Sequence, residues 1–227
     1  MAYAVEIEWE GRKFGLQTPS EHDHIARVVA KSGTFYEAEM LRDAQSRLFY
    51  AKCAVDVGAN VGNHTLFFAA VLGLRTIALE PNKAAFDLLR ATLETNSVAD
   101  RCVLHQAAAG SARDANARLE HLEPNNSGRA RVIVDPKGDV PVIRLDDLLD
   151  TEPQIDLIKI DTEGSEADVI AGAKSTILRH HPLIYIEIGE DVFPSIRRQL
   201  ESIDYICWKR FNHTPTFLFL HKRRLTF

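Results

Sequence analysis

The segment from Cys53 to Leu66, Cys-Ala-Val-Asp-Val-Gly-Ala-Asn-Val-Gly-Asn-His-Thr-Leu, constrains this chain more than any other. A short apolar run stops at two closely spaced glycines and resumes as Leu66-Phe67-Phe68-Ala69-Ala70-Val71-Leu72. That order predicts a buried strand, a tight loop and a packed helix, the opening unit of an open parallel sheet that takes a ligand at its strand ends. Glycine belongs where the backbone must adopt φ > 0 or come close to a ligand, and the following helix offers free N–H donors. The register excludes two familiar loops. A dinucleotide fingerprint needs three glycines as G-x-G-x-x-G, and Gly58-Ala59-Asn60-Val61-Gly62-Asn63 supplies two in another spacing. A phosphate loop needs G-K-[ST], which this segment lacks.

Asp56 ends the strand two residues before Gly58. A carboxylate there repels a pyrophosphate and suits a cationic ligand. S-adenosylmethionine, with an ammonium and a sulfonium, carries that charge.

From Arg75 onward the pattern alternates strand and helix. Thr76–Leu79 reads as a strand ending in Glu80-Pro81-Asn82, followed by a helix with Phe86, Leu88, Leu89 and Leu93. Val103-Leu104, running into His105-Gln106-Ala107, predicts the next strand; Ile155–Ile160 another, ending in Asp161-Thr-Glu-Gly164; and Leu183–Ile188 a fifth. Residues 115–145 interrupt this rhythm with short β-like runs around Asn125-Asn126-Ser127-Gly128, an inserted antiparallel element. Residues 203–208 and 216–220 close the sheet as an antiparallel edge. Ahead of the loop, residues 3–17 alternate as a hairpin. Ser20-x-x-Asp23, Thr34-x-x-Glu37 and Ser165-x-x-Asp168 each predict a capping box that opens a helix. The expectation is one α/β domain over 1–227, with a Rossmann-like, mostly parallel sheet in 51–227 and residues 1–50 as an appendage.

Composition narrows the partners. A net charge of −5 over 227 residues gives no argument for nucleic acid. The longest apolar run is too short to span a bilayer, and the first residues show no signal-peptide pattern. Three cysteines without metal spacing suit reduced thiols and a cytoplasmic location. The stretch 197–224 holds seven basic residues against Glu201 and Asp204, a solvated face or a dock for an anionic carrier.

Acids recur at successive strand ends: Asp56, Glu80, Asp161 with Glu163, and Glu187. Glu80 follows Gly58 by 22 residues, a spacing at which an acid accepts hydrogen bonds from a ribose diol. Taken together, Val55-Asp-Val-Gly-Ala-Asn-Val-Gly62 with Asn63-His64-Thr65, Ala78-Leu-Glu-Pro-Asn82, Gln106-Ala107-Ala108, Leu145-Asp146-Asp147 and Leu157-Ile-Lys-Ile-Asp-Thr-Glu-Gly-Ser-Glu166 resemble the FkbM family of S-adenosylmethionine-dependent methyltransferases. The Lys-Ile-Asp-x-Glu-Gly-x-Glu piece is the distinctive one.

The resemblance implies a class I methyltransferase fold and methyl transfer to a hydroxyl of a sugar, glycoconjugate or natural product. It implies that Asp56, Gly58, Ala59, Asn60 and Gly62, with Asn63 after them, hold the methionine part. Glu80 with Asn82 would hold the ribose, Gln106 and Ala107 would border the adenine, and Asp161 and Glu163 would face the methyl. Glu37 and Glu187 are candidates for the acceptor. A hydroxyl needs a base, and Asp161, Glu163 and His64 can serve. Lys159, inside a central strand, needs a partner; Glu187 on the neighbouring strand is the expectation. Asp161, Glu163 and Glu187 could also gather a Mg²⁺ ion. Rival readings are an N-methyltransferase on a small molecule or nucleic acid, a nucleotide-dependent dehydrogenase, and a non-catalytic cofactor-binding subunit.

Overall fold

A computed structural model describes residues 2–121, 130–212 and 214–225. Strands β1 (Tyr3–Trp9) and β2 (Arg12–Thr18) form an antiparallel hairpin, followed by helices α1 (His24–Ser32) and α2 (Ala38–Arg47). The first core strand β3 (Cys53–Val57) leads through the glycine loop into α3 (Asn63–Leu66), which continues as a π-helical turn over Phe67–Val71. Then follow β4 (Arg75–Leu79), α4 (Lys83–Thr95) and β5 (Cys102–His105). The interruption holds β6 (Ala108–Ala109), β7 (Ala115–His121), β8 (Ala130–Val134) and β9 (Val140–Ile143). The chain continues with α5 (Leu145–Leu148), β10 (Leu157–Ile160), α6 (Glu166–Gly172), α7 (Lys174–His180), β11 (Leu183–Glu187), α8 (Phe193–Glu201), β12 (Tyr205–Phe211) and β13 (Thr216–His221).

The main sheet runs β12-β13-β11-β10-β3-β4-β5. Its five strands from β11 to β5 are parallel, and β13 and β12 add antiparallel at one edge. This is the expected mostly parallel α/β sheet. Successive strands step outward from β3 in opposite directions, to β4 on one side and β10 on the other. The crevice for a ligand therefore lies at the carboxyl ends of these strands. The interruption forms its own four-stranded sheet, β6-β9-β7-β8, mainly antiparallel as expected, although β6 pairs with β9 in parallel. The turn at 125–128 lies outside the described residues.

Apolar strands sort their side chains onto two faces. Cys53, Val55 and Val57 join Ile158, Ile160 and Ile186 in one core layer, under α6 to α8. Ala54, Leu157, Leu183 and Tyr185 belong to the other. The hairpin joins that second layer: Ile7 and Leu16 are fully buried, and Trp9 meets Phe35 and Phe67 edge-on, with centroids 5.7 and 5.1 Å apart. The polar residues Asp56 and Lys159 follow the same alternation onto this second face.

The three capping boxes do not form as expected. α1 starts at His24 with Asp23 itself as cap, its carboxylate accepting from Ala26 N–H at 3.1 Å. Glu37 precedes α2 in a left-handed conformation and makes no cap bond, because its carboxylate is drawn to His64 and Asn212. Ser165 gives no side-chain cap to α6, and Asp168 instead accepts from Ser111. Glu166 does that work from inside the helix, accepting from Gly164 N–H at 2.8 Å and Thr162 Oγ1 at 3.1 Å.

Candidate active site

A cleft of about 470 Å³ opens at the carboxyl ends of β3, β4, β10 and β11. Its floor begins at Gly58, whose φ is +76°. A Cβ there would stand 1.7 Å from the Asp161 carbonyl oxygen, so glycine is required by the crossing of two strand ends rather than by a ligand. Gly62, at φ +91°, is required by the helix behind it, since a Cβ would come 2.6 Å from Leu89 Cδ1. The two glycines thus set the loop's path, and that path presents Asn60 to the cleft.

Glu80 is pinned where β4 ends. Its Oε2 accepts from Asn60 N–H at 2.7 Å and its Oε1 from Asn82 N–H at 2.8 Å. Burial pushes this carboxyl up to about 7, although the two backbone N–H groups pull the other way. Asn82 turns at once into the cap of α4, accepting from Ala84 and Ala85 N–H.

Lys159 is almost fully buried on β10, in register with Asp56 on β3 and Tyr185 on β11. Its ammonium donates to Gly58 O at 3.1 Å and Asp161 Oδ2 at 3.2 Å, and lies 3.6 Å from Asp56 Oδ1. The expected pairing with Glu187 is therefore corrected: a strand inside a sheet has two neighbours, and Lys159 takes its partners from β3 and its own strand end. Burial pulls the Lys159 pKa down, but Asp161 and then Asp56 reverse this, and it ends above its ordinary value. Asp56 is wholly buried, with Thr65 Oγ1 donating to its Oδ2 at 2.6 Å.

Asp161, Glu163 and Glu187 all line the cleft. β10 and β11 pair through Ile160 and Ile186, so Asp161 and Glu187 follow side by side where the strands end. Burial, then the neighbouring Asp161 and Glu37, push Glu187 up to about 8. Glu163 enters the cleft from a left-handed backbone with φ 54°.

Of the residues singled out in the sequence, Gly58, Asn60, Glu80, Asn82, Ala107, Asp161, Glu163 and Glu187 line the cleft. Asp56, Ala59, Gly62, Asn63, His64, Lys159 and Glu37 stand behind its wall, and Gln106 faces outward. Behind the wall, His64 Nε2 lies 3.1 Å from Glu37 Oε2, with both side chains buried. Asn63 holds Tyr36 by a reciprocal pair, accepting from its N–H at 3.0 Å and donating to its carbonyl at 3.1 Å.

Tyr36 was missed by sequence reasoning as a lining residue, as were Asp23-His24-Ile25 of α1, Ala130 and Val132 of the inserted sheet, and Thr214. Tyr36 stands beside the Phe35 that marks the core pattern, the only local signal for it. Among the described residues no group of three or more His, Cys, Asp or Glu side chains is placed to hold a metal ion, so the Asp161, Glu163 and Glu187 cluster does not assemble as one. No lysine or arginine among the described residues lines the cleft. Thr214 of the basic stretch reaches the cleft but none of its seven basic residues does, and three of them form ion pairs elsewhere: Arg197 with Glu201, Lys222 with Asp204, Lys209 with Glu39.

This sheet order, with its ligand cleft at the switch point, defines a class I methyltransferase with a Rossmann-like fold. Solved structures of similar architecture include an FkbM methyltransferase from Methylobacillus flagellatus, 24% identical, with a TM-score of 0.56 over 75% of this chain and 43% of that one. A methyltransferase from Geobacter sulfurreducens is 14% identical, with a TM-score of 0.52 over 87% and 85% of the two chains. A precorrin 8w decarboxylase from Methanobacterium thermoautotrophicum is 16% identical, with a TM-score of 0.52 over 80% and 88%. The chain spans less than half the length of the Methylobacillus protein. No curated protein matches the chain significantly. The methyltransferase FkbM domain matches residues 56–207, and the chain belongs to that family.

Proposed function

We propose that this protein transfers a methyl group from S-adenosylmethionine to a hydroxyl of a sugar, glycoconjugate or natural product. The observation that carries the cofactor is Glu80. Both oxygens are oriented by backbone N–H groups at the rim of the glycine loop, leaving free lone pairs for the two hydroxyls of a ribose. The residues present fit such a ligand. Asn60 and Asn82 flank Glu80, Ala107 and its neighbours give a flat apolar wall suited to an adenine, and the acids at the far end suit a cationic donor. Asp56 acts in this reading through Lys159 and Thr65, setting the wall rather than touching the ligand. When bound, the cofactor supplies an electrophilic methyl carbon whose leaving group is a neutral thioether.

The protein's own part is positioning and proton handling. Well-oriented attack lowers a barrier by up to about 7–11 kcal/mol, and a positioned base adds roughly 10²–10⁴-fold. Asp161, Glu163 and Glu187 stand at the acceptor end, with Tyr36 as its wall. That no lysine or arginine among the described residues lines the cleft favours an uncharged hydroxyl at the point of transfer; an anionic carrier would rest outside the cleft, towards the β12–β13 edge. The turn after β10, Asp161-Thr-Glu-Gly164, lacks the Asn/Asp-Pro-Pro-aromatic sequence of amino-directed nucleic-acid enzymes. The unpaired thiols of Cys53, Cys102 and Cys207 support a reducing, cytoplasmic setting. Among the described residues no helix is long and apolar enough to cross a membrane. The burial of the hairpin in the main core supports a single unit over the whole chain.

Calorimetric titration with S-adenosylmethionine, S-adenosylhomocysteine and NAD tests the reading. Saturable binding of both adenosyl ligands, weakened in Glu80→Ala, is expected. Binding of NAD alone would overturn it.

A further inference from the structure

Two carboxyl groups end β10 and β11 side by side, and their surroundings differ sharply. Asp161 is tied to the buried Lys159 ammonium at 3.2 Å. Glu187 is half-buried, lines the cleft, and has no hydrogen bond or ion pair to its carboxyl among the described residues. Its backbone neighbour across the antiparallel edge is Thr216, which carries no charge. The groups whose charge reaches it are Asp161 and Lys159 from β10, Glu163 from the loop beyond, and Glu37 from the segment before α2. Tyr36 lines the same cleft, its hydroxyl raised above its ordinary pKa by burial and then by Glu37 and Glu187. Four carboxyl groups, Glu187 among them, against one ammonium leave an excess of negative charge in a partly dry pocket, so one group has to hold a proton. Lys159 decides which. It stabilises the anion of Asp161, and the proton falls to Glu187, whose carboxyl is displaced to about 8. When the environments of two carboxyls push them apart in this way, the acid and base roles separate with them.

We propose that Glu187 is the catalytic base of this methyltransferase: neutral in the free protein, stripped of its proton when a cationic methyl donor occupies the cleft, and so ready to accept the acceptor's proton. The proposal rests on the reading that a hydroxyl is methylated with S-adenosylmethionine. The electron and proton balance is simple. On donor binding the Glu187 proton leaves to solvent, driven by the new positive charge. In the transfer the acceptor oxygen bonds to the methyl carbon, the carbon–sulfur pair stays on sulfur, and the hydroxyl proton passes to a Glu187 oxygen. Asp161 stays ionised throughout and holds Lys159, a positioning role. The device also makes the base available only when the donor is present, which keeps an idle anion out of a half-buried cleft.

The donor and its demethylated product differ by one positive charge at sulfur, and this gives a test that needs no acceptor. Calorimetry with S-adenosylmethionine and S-adenosylhomocysteine, in buffers of different ionisation enthalpy, reads the protons released. Near pH 7 the wild type should release about 0.4 more proton with the cationic ligand than with the neutral one, the amount freed when a carboxyl moves down by about one pK unit from about 8. The affinity ratio of the two ligands should rise about tenfold more between pH 6 and pH 9 in the wild type than in Glu187→Gln, the equivalent of about one pK unit. The carbon-13 signal of the Glu187 carboxyl in the wild type provides a readout that no substitution can disturb. It should titrate at least about one pH unit lower with S-adenosylmethionine than with S-adenosylhomocysteine. Equal proton release in the wild type and Glu187→Gln, or release abolished by Asp161→Asn alone, overturns the assignment to Glu187. Failure of the wild type to bind either ligand overturns instead the proposed function on which the assignment rests.

Discussion

Lys159 is an ammonium ion enclosed by a parallel sheet, and its neighbours explain why it is tolerated. Asp56, Asp161 and the Gly58 carbonyl surround it within 3.6 Å. Removing one partner of such a buried group leaves the other uncompensated, at a cost of about 3–5 kcal/mol. Lys159→Met should lose stability of that order in urea unfolding, and Asp56→Asn part of it. Gly58→Ala should cost well over about 1 kcal/mol, because its Cβ has nowhere to go beside the Asp161 carbonyl and its φ is positive. Glu80→Gln separates binding from fold. A hydrogen bond to a charged group contributes about 1.5–3 kcal/mol, so S-adenosylhomocysteine affinity should fall roughly tenfold to a hundredfold in titration calorimetry. An unchanged affinity would remove Glu80 from the ribose site.

The elements show where sequence reading succeeds. Every core strand was legible, because a buried parallel strand is a short apolar run, and four of the five here end in an acid or a glycine, β5 running instead into Gln106. The helices were legible as periodic patterns, but their starts were not. Ser165 and Asp168 have the spacing of a capping box, yet Glu166, one of the two residues between them, closes the loop over its own helix. Lys159 was recognised as needing an anion, while its partner depended on strand order and register, which only the assembled sheet defines. Tyr36 and the α1 residues of the cleft are brought there by packing between segments far apart in sequence, and beyond the apolar Phe35 beside Tyr36 no local pattern marks them. The hairpin belongs to this scale too. Trp9 sits edge-on to Phe35 and Phe67, with Arg42 4.4 Å over its ring. Trp9→Ala should cost about 3–5 kcal/mol in urea unfolding, and a chain begun at residue 51 should fail to give a cooperative transition.

At the scale of the molecule, the acids of the cleft make stability depend on pH. Glu80 is displaced upward to about 7, so the folded protein binds its proton more tightly than the unfolded chain does. That contribution is fully present below the ordinary glutamate range and is lost as pH rises towards about 7; Glu187 extends the loss to about 8. For Glu80 alone the full displacement corresponds to about 3 kcal/mol. Thermal unfolding of the free protein should therefore shift downward between about pH 5 and pH 8, and Glu80→Gln should flatten that slope. A melting temperature that climbs through this interval would contradict the cleft's electrostatics. Saturating S-adenosylmethionine should offset the loss, since a ligand at a hundred times its dissociation constant adds about 2.7 kcal/mol.

The clasp between Asn63 and the backbone of Tyr36 carries a consequence for how such a protein can diversify. One side-chain amide joins the glycine loop to the segment before α2 that supplies Tyr36 to the cleft, and it grips position 36 only through main-chain atoms. The backbone placement of 36 is therefore inherited whatever side chain it carries, and a replacement for Tyr36 has to answer only to its packing partners, among them His24 edge-on at 5.7 Å. Exchanging Asn63 first would loosen both ends at once and make later changes at 36 unreadable. In directed evolution for a new acceptor the order of mutations matters: a library at 36 on an intact Asn63 explores many shapes of one pocket, whereas the reverse order reaches a dead end.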